Sequence, residues 1–153
     1  MAGFTEQDLE PQADRDVVTT RTLDAPRERV FKAWTDPDLL ARWWGPEGFT
    51  NSFQEFELKP GGQWNFIMQG PDGTHFKNES VFIEILAPER LVFDHVSTPR
   101  FRVIVTFEGE GPRTRLSFCM RFGTAAECEL VKRFALEGNE QTFDRLATLL
   151  AEG

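Results

Sequence analysis

The stretch Phe31–Pro46, FKAWTDPDLLARWWGP, decides the fold of this 153-residue chain, because three of the four tryptophans fall within two short helical segments. Val30 and Trp34 have the i, i+4 spacing of one face of an amphipathic helix, which the Asp-Pro pair ends. The second helix ends at Gly-Pro, since glycine accepts a left-handed turn and proline cannot continue the helix. Adjacent residues cannot share one helix face, so either Trp43 or Trp44 is predicted to border a cavity.

After the helices, apolar residues alternate with polar ones at the period of half-buried strands. Turn sequences such as Lys59–Gly62 and Pro71–Gly73 separate these runs. The strands predicted in this way, including one before the helices, cover residues 17–23, 53–58, 64–68, 76–86, 91–97, 101–107 and 116–122. Their short connections indicate an antiparallel meander with one buried face.

The chain closes with a long helix. Thr124 and Glu127 have the spacing of a capping box, and a helical apolar period continues to Ala151. Some 27 residues would span roughly 40 Å, the width of a small domain. Gly138 lies in the middle of this helix, where glycine costs about 1 kcal/mol relative to alanine. Space for a ligand, close packing and a local break in the helix would each explain it.

Composition and charge exclude several functions. The formal net charge of −8 disfavours nucleic acid, which needs clustered Lys and Arg. No window is long and apolar enough to cross a membrane, and the N-terminus has no signal-peptide pattern. We therefore predict a cytoplasmic protein without membrane insertion, with a flexible tail over residues 1–15 and a single domain over residues 16–153.

The cysteines and histidines indicate no metal or cofactor. Cys119 and Cys128 have neither CxxC spacing nor the count of a disulfide framework. His75 and His95 are not arranged at a helical metal-binding spacing. We expect reduced thiols, no metal site and no cofactor.

Three motifs resemble the activator of Hsp90 ATPase homologue 1-like family of the START/Bet v1-like superfamily. They lie at Phe31–Thr50, Pro60–Gly73 and Glu84–Phe93. The resemblance implies an α+β helix-grip fold, in which a curved antiparallel sheet of about six to seven strands wraps around the long C-terminal helix and encloses an apolar cavity. The sequence departs from the family pattern at Asn139, where the family often has tryptophan.

The cavity implied by this fold leads to a first functional hypothesis, the binding of an apolar small molecule or lipid. Such pockets combine apolar walls with a few polar groups. The residues predicted to form it are Trp43, Trp44, Trp64, Phe66, Met68, Asn78, His95, Phe101, Val103, Phe118, Met120, Phe134, Gly138 and Gln141.

Two alternatives stay open. The resemblance also implies a chaperone regulator acting on an Hsp90-type partner through an exposed apolar surface. A cyclase or hydratase, as found elsewhere in the superfamily, would need a general base in the cavity, and His95, Glu79 and Glu137 are the candidates. The sequence assigns no catalytic residue, and it leaves the ligand and the oligomeric state undetermined.

Overall fold

The structure, a computed structural model, describes residues 4–152. It contains one seven-stranded antiparallel sheet and three α-helices. The elements, in chain order, are β1 (Asp16–Leu23), α1 (Arg27–Thr35), α2 (Pro37–Trp43), β2 (Thr50–Phe56), β3 (Gln63–Gln69), β4 (His75–Leu86), β5 (Arg90–His95), β6 (Phe101–Glu110), β7 (Arg113–Phe122) and α3 (Ala125–Ala151). The α+β helix-grip fold predicted from the sequence is confirmed.

The strands lie in the order β1-β7-β6-β5-β4-β3-β2. From β2 to β7 each strand pairs with the next, as the alternating pattern predicts, whereas β1 pairs with β7 at the far end of the chain. The helices α1 and α2 therefore carry the chain from one edge of the sheet to the other. Glycines with φ near +85° make two of the turns, Gly61 and Gly73, where an L side chain would be strained.

A cluster of aromatic rings joins the two short helices to the sheet and to α3. The ring of Trp34 lies 4.8 Å from that of Trp43, 5.8 Å from that of Phe118 and 6.2 Å from that of Phe143. All four side chains are buried. Aromatic pairs at these distances add to the free energy of burial, so this cluster fixes α1 and α2 over the inner face of the sheet.

The long helix α3 is anchored at its C-terminal half. Thr124 caps its start by accepting a hydrogen bond from the Glu127 N–H at 3.2 Å, and 27 residues follow without a break. Phe143 and Leu146 are fully buried, whereas Leu130, three turns or more before them, is 80% exposed. The N-terminal half of α3 thus leaves apolar side chains uncovered beside the sheet.

The segment before β1 lies on the outer face of the sheet. Residues 6–9 form a short 3-10 helix, and the guanidinium of Arg121 donates to the carbonyls of Asp8 at 2.6 Å and Glu10 at 2.9 Å. Arg90 forms an ion pair with Glu6 at 3.2 Å. Residues 1–3 lie outside the described residues. The flexibility predicted for residues 1–15 stays a prediction.

Candidate functional site

The inner face of the sheet and α3 enclose a cavity of about 320 Å³. This volume is at the lower end of the range of about 300–1,000 Å³ for small-molecule sites. The lining side chains come from the end of α2, from β3 to β7 and from α3. They are Trp44, Gly45, Pro46, Trp64, Phe66, Met68, Asn78, Ser80, Phe93, His95, Phe101, Phe118, Met120, Val131, Phe134, Ala135, Gly138, Asn139, Thr142 and Phe143.

One wall of the cavity is aromatic. Trp44 caps the C-terminus of α2, and its ring lies 5.2 Å from that of Trp64 and 6.3 Å from those of Phe93 and Phe118. This side chain is half-buried, since it faces the cavity. The wall matches the surfaces that bind rings and aliphatic groups by dispersion and burial.

Arg145 of α3 holds the end of α2 in place. Its Nη1 donates to the carbonyls of Gly45 at 2.9 Å and Pro46 at 3.0 Å, and its Nη2 donates to the carbonyl of Arg42 at 2.9 Å. The Arg42 carbonyl belongs to the last turn of α2, where carbonyls have no partner within the helix, whereas Gly45 and Pro46 follow the end of the helix. Burial lowers the pKa of the Arg145 guanidinium. The Arg145 guanidinium therefore binds carbonyls on both sides of Trp44, and its Nη1 also donates to the Trp44 carbonyl at 3.3 Å.

The floor of the cavity carries a small polar group on β4 and β5. The ring of His95 is buried, with Nδ1 2.7 Å from the carbonyl oxygen of Pro99 and Nε2 2.8 Å from Asn78 Oδ1. A carbonyl only accepts, so Nδ1 carries the proton that is donated to Pro99. Burial lowers the pKa of His95, and hydrogen bonds to backbone carbonyls oppose this shift only in part. We therefore treat the imidazole as neutral near pH 7.

The contact between His95 and Asn78, taken alone, would favour a proton on Nε2. Asn78 Oδ1 is an acceptor, so it is matched only when Nε2 is protonated, while the amide nitrogen of Asn78 donates to the carbonyl of Phe76 at 3.0 Å. Burial is the largest influence on the pKa of His95, and none of the described lining side chains is a carboxylate that would stabilise an imidazolium. In the neutral ring Nε2 is an acceptor, and the hydroxyl of Ser97, whose Oγ lies 3.3 Å away, can donate to it, so both ring nitrogens still have partners.

The mouth of the cavity lies beside the N-terminal half of α3. Phe134 lines the cavity, yet 79% of its side chain is exposed. Leu130 precedes it by one helical turn and is equally uncovered. The apolar phenyl ring of Phe134 thus lies between the cavity and the solvent.

Comparison with known proteins agrees with this architecture. The sequence profile described as activator of Hsp90 ATPase homolog 1-like protein matches residues 24–151. The chain belongs to this family. The resemblance predicted from the three sequence motifs is therefore confirmed. No curated protein matches the chain.

Several solved structures share the fold. A protein of Nitrosomonas europaea is 24% identical, with 94% of this chain and 98% of that chain covered and a TM-score of 0.86. A protein of Arthrobacter aurescens is 26% identical, with 94% and 90% covered and a TM-score of 0.85. A Silicibacter pomeroyi protein named for the Hsp90 activator family is 22% identical, with 89% and 97% covered and a TM-score of 0.75.

Eleven of the residues predicted for the cavity of this family member line it in the structure. They are Trp44, Trp64, Phe66, Met68, Asn78, His95, Phe101, Phe118, Met120, Phe134 and Gly138. Three others do not. Trp43 is fully buried and donates from Nε1 to the Ala33 carbonyl at 3.0 Å, Val103 is fully buried beneath its neighbours, and Gln141 accepts a hydrogen bond from the Glu47 N–H at 3.2 Å. Ligand binding by any of the fourteen predicted residues stays a prediction.

Nine lining residues were not predicted from the sequence, although four of them have a local sequence signal. Ser80 has the strand parity of Asn78, which places both on one face of β4. On α3, Val131, Ala135 and Thr142 lie three or four residues from Gly138 or Phe134, hence on one helix face. The others are Gly45, Pro46, Phe93, Asn139 and Phe143.

Gly138 has no unusual backbone conformation. It lies within continuous helix and is absent from the glycines with positive φ, so a break in α3 does not explain it. A Cβ atom at this position would lie 3.5 Å from Cγ of Pro46, an ordinary contact. An alanine fits, whereas a longer side chain must pass Pro46 or enter the cavity.

The structure offers little for acid–base or metal chemistry. Glu79 and Glu137 are exposed and do not line the cavity. Within residues 4–152, no three His, Cys, Asp or Glu side chains are grouped so that they could hold a metal ion. Burial raises the pKa of the Cys119 thiol to about 12, so it is not a thiolate nucleophile at neutral pH. No helix within the described residues is long and apolar enough to cross a membrane.

Proposed function

We propose that this protein binds a small, largely apolar molecule in the cavity between the sheet and α3. The observation that carries this proposal is the cavity itself, about 320 Å³ lined mainly by aromatic and aliphatic side chains. Protein interiors are close-packed, so a space of this size within the aromatic core has a cost in lost contacts. A ligand of matching shape would recover that free energy. The volume favours a compact molecule with rings over a long acyl chain.

A probe and two cavity-filling variants test this proposal. N-phenyl-1-naphthylamine is uncharged, and its fluorescence rises in apolar surroundings. We expect saturable binding to the wild type. Ala135 lines the cavity, so Ala135→Phe should place a ring inside it and weaken binding at least tenfold, about 1.4 kcal/mol. Gly138→Leu should act in the same way and keep the melting temperature, because leucine has the higher helix propensity.

Two control variants separate the cavity from the outer surface. Ala126 is an exposed residue of the same helix outside the cavity, so Ala126→Phe should leave the affinity unchanged. If the probe binds to the exposed apolar surface of α3 instead, Leu130→Ser should weaken its binding. Unchanged affinity in folded Ala135→Phe and Gly138→Leu would refute the proposal.

A second candidate function, interaction with a protein partner, is favoured by one observation. Leu130 is 80% exposed on a helix next to other uncovered apolar side chains. The family name suggests an Hsp90-type chaperone as the partner to test. If this surface binds it, the chain should raise the ATPase rate of the chaperone, and Leu130→Ser should lower that effect. Val18→Ser, at an exposed residue of β1, is the matched control. An ATPase rate that the wild-type chain leaves unchanged would eliminate this candidate.

A further inference from the structure

Two neighbouring side chains of the cavity floor have polar atoms without partners. Ser80 on β4 and Trp64 on β3 are directly opposite each other in the sheet, and both are 1% exposed. Neither Ser80 Oγ nor Trp64 Nε1 has a hydrogen-bond partner among the described residues. Side chains that face each other across antiparallel strands are about 5 Å apart at Cβ. Both residues also line the cavity.

The other polar groups of the cavity are already engaged. The neutral ring of His95 donates from Nδ1 to the Pro99 carbonyl, and its Nε2 can accept from the Ser97 hydroxyl, whose Oγ lies 3.3 Å away. Asn78 donates to the Phe76 carbonyl, and Thr142 donates to the Gly138 carbonyl at 2.8 Å. Asn139 donates to Thr19 Oγ1 at 3.3 Å. The unused donors of the cavity are thus concentrated at one point of its floor.

Two further buried polar atoms without partners, in Trp34 and Asn51, do not belong to the cavity. Ser80 and Trp64 are the pair that both lacks partners and lines the space. A buried hydroxyl or indole N–H without an acceptor costs free energy. Positions that keep such a cost beside a cavity are those where a ligand atom would relieve it.

The charge of the lining limits which ligand group fits. None of the described lining residues is Asp, Glu, Lys or Arg, and the imidazole of His95 is neutral near pH 7. A carboxylate or ammonium group placed there would be desolvated without an opposite charge, which is strongly unfavourable. The donors of Ser80 and Trp64 are matched instead by an uncharged oxygen atom that accepts hydrogen bonds.

We propose that the ligand is an uncharged, mainly apolar ring compound with one hydroxyl or carbonyl oxygen, which accepts hydrogen bonds from Ser80 Oγ and Trp64 Nε1. This inference rests on the proposed binding function and specifies its ligand class. The oxygen lies at the floor between β3 and β4, and the apolar body packs between the aromatic wall and α3. A hydroxyl of the ligand can alternatively donate to Ser80 Oγ while its oxygen accepts from Trp64 Nε1.

Three naphthalene derivatives of similar size test this inference by calorimetry at pH 7. 2-Naphthol carries an uncharged hydroxyl, naphthalene has no polar group, and 2-naphthoate is an anion. We expect the wild type to bind 2-naphthol about fivefold more tightly than naphthalene and at least tenfold more tightly than 2-naphthoate. Ser80→Ala should remove most of the preference for 2-naphthol over naphthalene and leave naphthalene affinity within twofold. Trp64→Phe, which keeps an aromatic ring, should also reduce this preference.

The matched control is Ser117→Ala, since Ser117 lies on β7 and does not line the cavity. It should retain the wild-type preference. The inference is wrong if Ser80→Ala keeps the full preference for 2-naphthol, because water or an aromatic face would then satisfy these donors. It is also wrong if 2-naphthoate binds best. That failure differs from failure of the binding function, in which neither N-phenyl-1-naphthylamine nor any naphthalene compound binds.

Discussion

Ser80 places a hydroxyl group in the apolar interior, where no described residue forms a hydrogen bond with it. Such a group costs about 1–3 kcal/mol when its hydrogen-bonding capacity is unused. We therefore expect Ser80→Ala to raise the free energy of unfolding of the unliganded protein by about 1 kcal/mol in urea titration. A drop of 1 kcal/mol or more would show that the hydroxyl has a partner in solution. Ser117→Ala controls for the general effect of the substitution.

The residue-level predictions fail where a small angular difference decides the outcome. The sequence correctly indicates that Trp43 and Trp44 lie in different surroundings, but not which one faces the cavity. Trp44 does so because it caps the C-terminus of α2 with an extended backbone at ψ 132°. Gln141 and Thr142 are both neighbours of Gly138 on a helix, and 100° per residue separates them. Only the placement of α3 selects Thr142.

At the scale of elements, one side chain joins α2 to α3. Arg145 donates to carbonyls at and just after the end of α2. A lysine cannot replace it, because a single ammonium group does not provide the several fixed N–H directions of a guanidinium. We expect Arg145→Lys to lower the free energy of unfolding by about 2 kcal/mol, as measured in urea. It should also weaken probe binding, since Trp44 loses its support.

Arg133→Lys is the matched control, at an exposed residue of the same helix. Equal stability of Arg145→Lys and the wild type would show that the guanidinium contributes little. A destabilised variant with unchanged probe affinity would show that Arg145 stabilises the fold without positioning Trp44.

The elements themselves follow from the sequence with few exceptions. Every predicted strand and helix is present, because alternating and helical apolar patterns are local signals. The predicted end of the second helix fits Gly45, which has a φ of 97°. The 3-10 helix over residues 6–9 was not predicted. It has no buried residues of its own, and distant Arg121 and Arg90 hold it. Local patterns cannot reveal such contacts.

At the scale of the whole molecule, the cavity depends on the distance between α3 and the sheet. The sequence indicates which faces are apolar, and eleven predicted residues line the space as a result. It does not indicate that the C-terminal half of α3 is buried while Leu130 and Phe134 remain exposed. Helix and sheet patterns are the same in a filled core and around a cavity. The space arises from packing that involves all layers at once.

Binding inside this cavity can be observed through the methionine methyl groups. Met68 on β3 and Met120 on β7 both line the cavity, on different strands. With ¹³C-labelled methionine methyls, assigned by single Met→Leu variants, titration with N-phenyl-1-naphthylamine should shift both resonances through the ring current of the bound probe. The two shifts should saturate with one common Kd, and Ala135→Phe should raise that Kd at least tenfold. If the fluorescence of the probe rises while both methyl resonances stay unchanged, the probe binds elsewhere and the cavity is not the binding site.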